Sequence, residues 1–225
     1  MVPASSLDSW PDVLTTVLSL AVLGFMATRL VTGVRVARSV SGRAVIREVR
    51  RRIAWRHVWP VPIVLAAVLL AASGLMLVPG LDWGWWSAIG GEGNPVFGST
   101  DQTSGTVWEW IIPLVFMAML LPALPLFANA EERIFRRGAE SWSTGRRVLK
   151  TVQFGLVHAL IGIPIGAAIA LSIGGAYFLR VYLHAYARSR SVSDATMEST
   201  TAHTVYNGVI IGVVLLALLL SAVLP

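Results

Sequence analysis

VWPVPIVLAAVLLAASGLMLV, residues 58–78, carries no ionisable side chain. As a helix rising 1.5 Å per residue it measures ~30 Å, the thickness of a bilayer's hydrocarbon core. That length without a charge reads as a transmembrane span. Comparable apolar blocks recur at 13–31, 111–130, 148–165, 166–186 and 205–224. The expectation is an all-α polytopic membrane bundle of six helices, forming one domain over residues 1–225. Composition agrees: the chain is 55% hydrophobic and 13% charged, against about a quarter charged in soluble domains. Between the fourth and fifth blocks only Gly162-Ile163-Pro164-Ile165-Gly166 can turn the chain, so a tight hairpin is expected there.

The net charge of +6 raises the question of nucleic acid, and the placement of the charges answers it. All Lys and Arg fall at 29–56, 133–137, 146–150 and 180–190, whereas 1–28 and 79–130 hold none. The basic-free segments carry Asp8, Asp12, Asp82, Glu92, Asp101 and Glu109. With six spans, every basic segment falls on one side. The positive-inside pattern then puts both termini outside the plasma membrane and the basic loops in the cytosol. The charge reports topology, with no nucleic-acid partner; the lipid bilayer is the partner, and anionic headgroups are an added candidate for the 35–56 loop. Trp83, Trp85, Trp86, Trp108 and Trp110 outside, with Trp55 and Trp59 inside, mark the two interfaces. The first block is followed, not preceded, by basic residues, so it reads as a retained helix. Residues 90–105 are rich in Gly, Ser and Thr and read as a flexible outer loop. The absence of cysteine excludes disulfides, thiolate metal sites and a cysteine nucleophile.

Ionisable groups inside membrane helices are costly and are functional candidates by default. Three groups stand out. Glu131-Glu132-Arg133-Ile134-Phe135-Arg136 closes the third block, Phe154-Gly155-Leu156-Val157-His158 lies in the fourth, and His203-Thr204-Val205-Tyr206-Asn207 enters the sixth. Neighbours on a helix diverge by ~100°, so Glu132 pairs with Arg136 four residues on while Glu131 faces a cavity. His203 and Asn207 share a face. The topology puts all three groups near the cytosolic side. Singly, each has a bland reading: solvated helix ends for the glutamates, an interhelical hydrogen bond for His158, a polar helix start for His203 and Asn207. Together they are a carboxylate, two imidazoles and an amide at one end of a bundle. His57 and His184 sit among interfacial aromatics and receive no role.

In order and spacing these groups resemble the EExxxR, FxxxH and HxxxN motifs of the CAAX-protease and bacteriocin-processing family. That family comprises intramembrane glutamic proteases related to the type II CAAX prenyl endopeptidase. The resemblance covers residues 131–207. It implies a shared helical core and a water-activating site, with Glu131 as general base and His158 holding the water. His203 and Asn207 would stabilise the oxyanion, with Glu132, Arg136 and Phe154 ordering the site and no metal or other cofactor. It also implies a membrane-associated protein or peptide as substrate. The sequence departs from the pattern at Arg133, where relatives commonly carry an apolar residue, and at Arg137, which separates Arg136 from Gly138. Rival chemistries fit less well: there is no GxSG serine motif, and Pro122-Ala123-Leu124 lacks a GxGD companion. Pro122 and Pro125 read as kinks in the third span. Zinc held by Glu131, His158 and His203 is the minority alternative. Two non-protease readings stand beside these: a membrane scaffold or regulatory binding protein, and a proton-coupled transporter. The transporter is disfavoured because the outer halves of the spans hold almost no ionisable group.

Overall fold

A computed structural model describes residues 10–85 and 106–223, all helices and their connections, with no strand among the described residues. The helices are α1 (Trp10–Arg38), α2 (Val40–Arg52), α3 (Trp55–Val58), α4 (Val61–Leu75), α5 (Trp108–Phe135), α6 (Thr144–Leu156), α7 (Ile165–Ser189) and α8 (Val192–Val223). Among the described residues, three stretches are long and apolar enough to cross a membrane: Trp55–Leu75, Ile165–Ser189 and Val192–Ala217. Large apolar side chains such as Leu20, Phe25, Ile63, Leu70, Leu160 and Leu216 are exposed on the outside of the bundle. Contiguous apolar surface on this scale needs a cover, and a bilayer supplies it. The expected 90–105 loop lies outside the described residues, as do Asp8, Trp86, Glu92 and Asp101.

The expected hairpin between the fourth and fifth blocks is present. Helix α6 continues as a 3-10 turn over Val157–Ile161 and stops at Gly162, whose φ of 92° suits a residue without Cβ. Pro164 then precedes the first turn of α7. Along this hairpin α6 and α7 pack closely because Gly155 lacks a side chain: a Cβ there would lie 2.3 Å from the Ala168 carbonyl oxygen and 2.4 Å from Ser172 Oγ. The segment after α4 caps the hairpin, with Trp83 and Leu81 carbonyls accepting from the Ile165 and Gly166 amides.

The last helix departs from expectation. The stretch between the fifth and sixth apolar blocks, residues 187–204, is helical except at Arg190-Ser191. Helix α7 runs on to Ser189, Arg190 turns the chain with φ 54°, and α8 starts at Val192. Burial of the Ser/Thr-rich first half of α8 is possible because its hydroxyls bond back along the helix. Thr196, Thr200, Thr201 and Thr204 each donate to the carbonyl four residues earlier, at 2.7–2.8 Å. Hydropathy therefore places the start of this helix too late. Helices α7 and α8 form the centre, with α4 and α6 against α7, α5 against α8, and α1 outside α5. Helix α5 runs unbroken through Pro122 and Pro125.

Candidate active site

Glu132 sits at the heart of the bundle, where α5 meets α8 and α7. Its carboxylate is fully buried, and one oxygen accepts from Arg136 Nη1 at 2.8 Å and from His203 Nδ1 at 2.9 Å. The other oxygen meets Ser199 Oγ, which also lies 2.9 Å from the Phe178 carbonyl. A buried carboxylate needs such partners, since desolvation of an uncompensated charge costs several kcal/mol. Arg136, 1% exposed, is matched in the same way. Besides Glu132, its guanidinium lies 4.0 Å from the centre of the Phe154 ring and 5.4 Å from that of Phe178. Cation–π contacts of this desolvated kind contribute ~2 kcal/mol. Gly175 permits the approach, because a Cβ there would stand 2.9 Å from Phe154 Cδ1 and 3.2 Å from Arg136 Nη2. The expected pairing of Glu132 with Arg136 is thus what the helix builds.

Glu131 points elsewhere, with about a third of its side chain exposed (35%). It is not left wholly to itself. His203 turns Nδ1 to Glu132 and Nε2 toward Glu131 Oε2 at 3.7 Å, so one imidazole lies between the two neighbouring carboxylates. The separation of 3.7 Å is outside hydrogen-bond range and inside the range of strong charge interaction. Stacking on Phe178, with centroids 4.2 Å apart and planes tilted by 20°, holds the His203 ring flat.

Phe154 gathers the second imidazole. Its ring is edge-on to both His158 (5.3 Å between centroids) and His203 (5.5 Å). His158 Nδ1 lies 2.9 Å from the Phe154 carbonyl, which can only accept, so Nδ1 carries the hydrogen. In the neutral ring Nε2 is therefore an acceptor. Asn207 is half-buried one turn beyond His203 and makes no polar contact among the described residues. Arg133 and Arg137 are exposed. Glu131, His158 and His203 are not gathered as three metal donors among the described residues.

Several members of this cluster escape a sequence reading. Ser199, Phe178 and Gly175 complete the surroundings of Glu132 and Arg136, and Asn129 Nδ2 donates to Thr200 Oγ1 at 3.2 Å one turn away. A signal existed for Ser199, which precedes His203 by four residues and shares its face. His57, given no role, is buried and holds Glu198 Oε1 with Nε2 at 3.0 Å. No family model, curated protein or solved structure matches the chain.

Proposed function

We propose that this chain is a glutamic-type intramembrane endopeptidase, similar to the CAAX-protease and bacteriocin-processing family, acting on a membrane-associated protein or peptide. The observation that carries the reading is the division of labour between the adjacent glutamates. Glu132 is consumed by buried partners, while Glu131 remains accessible beside an imidazole whose orientation Glu132 fixes.

In the proposed reaction Glu131 takes a proton from water, and the oxygen attacks the scissile carbonyl carbon. Nε2 of His158 accepts a hydrogen bond from the water's other hydrogen, which stays on the attacking oxygen, and so orients the attack. His203 serves the developing oxyanion in its doubly protonated form, with Nδ1–H on Glu132 and Nε2–H toward the site, and the Asn207 amide donates beside it. A pre-oriented donor of this kind is worth ~3–4 kcal/mol in the transition state. Collapse of the tetrahedral intermediate breaks the C–N bond, and Glu131 returns the proton to the leaving amine. Six spans in the plasma membrane, both termini outside and the site open to the cytosol are the topology that belongs to this proposal.

One observation favours a second reading, a scaffold without turnover: the contacts of Ser199 and His203 with Glu132 are buried and brace α5 against α8. Membrane proteomes from cells carrying the intact chain and Glu131→Ala distinguish the two. A protease predicts new protein termini that vanish with Glu131→Ala at unchanged expression. Identical termini in both membranes would leave the scaffold.

A further inference from the structure

The arginines around α2 divide into two sets. Arg52 is paired, with Nε 2.6 Å from Glu48 Oε1 and Nη2 2.7 Å from Asp194 Oδ1. Arg56 donates to Glu198 at 2.9 Å, and His57 shares the same carboxylate. These contacts engage Glu48, Asp194 and Glu198 and pin α2 and α3 to the start of α8. The second set is Arg43, Arg47, Arg50 and Arg51, all exposed and none paired with an acid among the described residues. The Arg43 guanidinium donates to the Arg38 carbonyl, at 2.6 Å.

Spacings of four, seven and eight residues from Arg43 put this second set on one helical face within ~100°. Together with Ile46 they line a shallow, open depression of about 530 Å³. The opposite face is anchored by Val49, which is fully buried. Four like charges held side by side repel one another, and an anion at their centre relieves that repulsion. Location indicates which anion. Helix α2 lies at the end of the bundle where the stretches Trp55–Leu75 and Val192–Ala217 begin. Trp55 and Trp59, exposed at that level, are residues that settle at the headgroup layer. Ile46 among the guanidiniums gives an apolar contact that a lipid's glycerol region can use and a free phosphate cannot.

We propose that this face of α2 binds the headgroup phosphates of anionic membrane lipids. The inference rests on the membrane reading of the chain and is independent of proteolysis. The test reconstitutes the full chain in phosphatidylcholine nanodiscs with traces of spin-labelled phosphatidylglycerol or phosphatidylcholine, and reads the immobilised fraction of each. Phosphatidylglycerol should be enriched around the intact protein. R47Q/R50Q/R51Q should lower that preference roughly 100-fold, as expected from about a factor of five for each of the three surface cations. R47K/R50K/R51K should keep most of it, because a phosphate accepts a point charge. Three results would overturn the proposal: an undiminished preference in the glutamine variant, an equal loss in the charge-matched R133Q/R137Q/R188Q, or equally tight binding of inorganic phosphate or a short DNA duplex in detergent.

Discussion

The carboxylate of Glu132 has three side-chain partners that differ in how far a sequence reveals them. Arg136 is one helical turn away on the same helix, so i,i+4 spacing alone predicts the pair. His203 and Ser199 come from another helix, and only packing brings them in. Their loss should be felt differently. Ser199→Ala leaves one buried carboxylate oxygen without its side-chain donor and should cost ~1–3 kcal/mol, read as a lower melting temperature in detergent. Glu132→Gln and Arg136→Gln each strand a buried charge and should cost ~3–5 kcal/mol. The double variant should be less destabilised than the two losses added, because it strands neither. Additive losses in thermal unfolding would mean that the pair is not coupled as its 2.8 Å geometry indicates. Tyr206 gives the opposite sign. Its hydroxyl is buried without a partner among the described residues, so Tyr206→Phe should leave stability unchanged or raise it by ~1 kcal/mol.

Among the elements, apolar block length located the helices well where the side chains are plainly apolar, as in 58–78, which holds α4. It failed at α8, whose first half hides Ser and Thr by bonding their hydroxyls to its own carbonyls. That error placed His203 at a helix entrance, whereas it lies inside a long helix with Ser199 one turn before it. Spacing within the helix was unaffected, which is why His203 and Asn207 could be aligned although the boundary was misplaced. The α6–α7 hairpin rests on a different signal, the Gly and Pro of 162–166, and that signal is local enough to be legible. The closeness of the two helices was not legible, because Gly155 looks like any helical glycine until its neighbour is known. Gly155→Ala should force α6 off α7, since its Cβ would meet backbone at 2.3 Å and backbone cannot move aside. Overpacking of this kind costs ~1–3 kcal/mol or more. Gly145→Ala, with open space around the same position, should be neutral in the same melting assay.

For the whole molecule, the clustering of Lys and Arg at 29–56, 133–137, 146–150 and 180–190 and the gathering of α5, α7 and α8 around Glu132 make separate demands. The six-span topology predicts that cysteines introduced at Ser99 and Ser143 of this cysteine-free chain react from opposite sides of the membrane. Labelling from one side would remove the proposed orientation. Direct activation of water by Glu131 predicts that the purified protein keeps its activity in a strong chelator; loss restored by added zinc would transfer the chemistry to a metal. The proposed mechanism makes a narrower demand, that Glu131 does chemistry while Glu132 holds the structure. It is tested most directly by turnover of a substrate fragment, identified from the termini that depend on Glu131, by purified Glu131→Gln at matched thermal stability. Glutamine keeps the size of the side chain but cannot take a proton from water. Glu131→Gln should melt at an unchanged temperature and turn over ~100-fold or more slowly. Turnover at the level of the intact chain in Glu131→Gln would contradict the proposed mechanism.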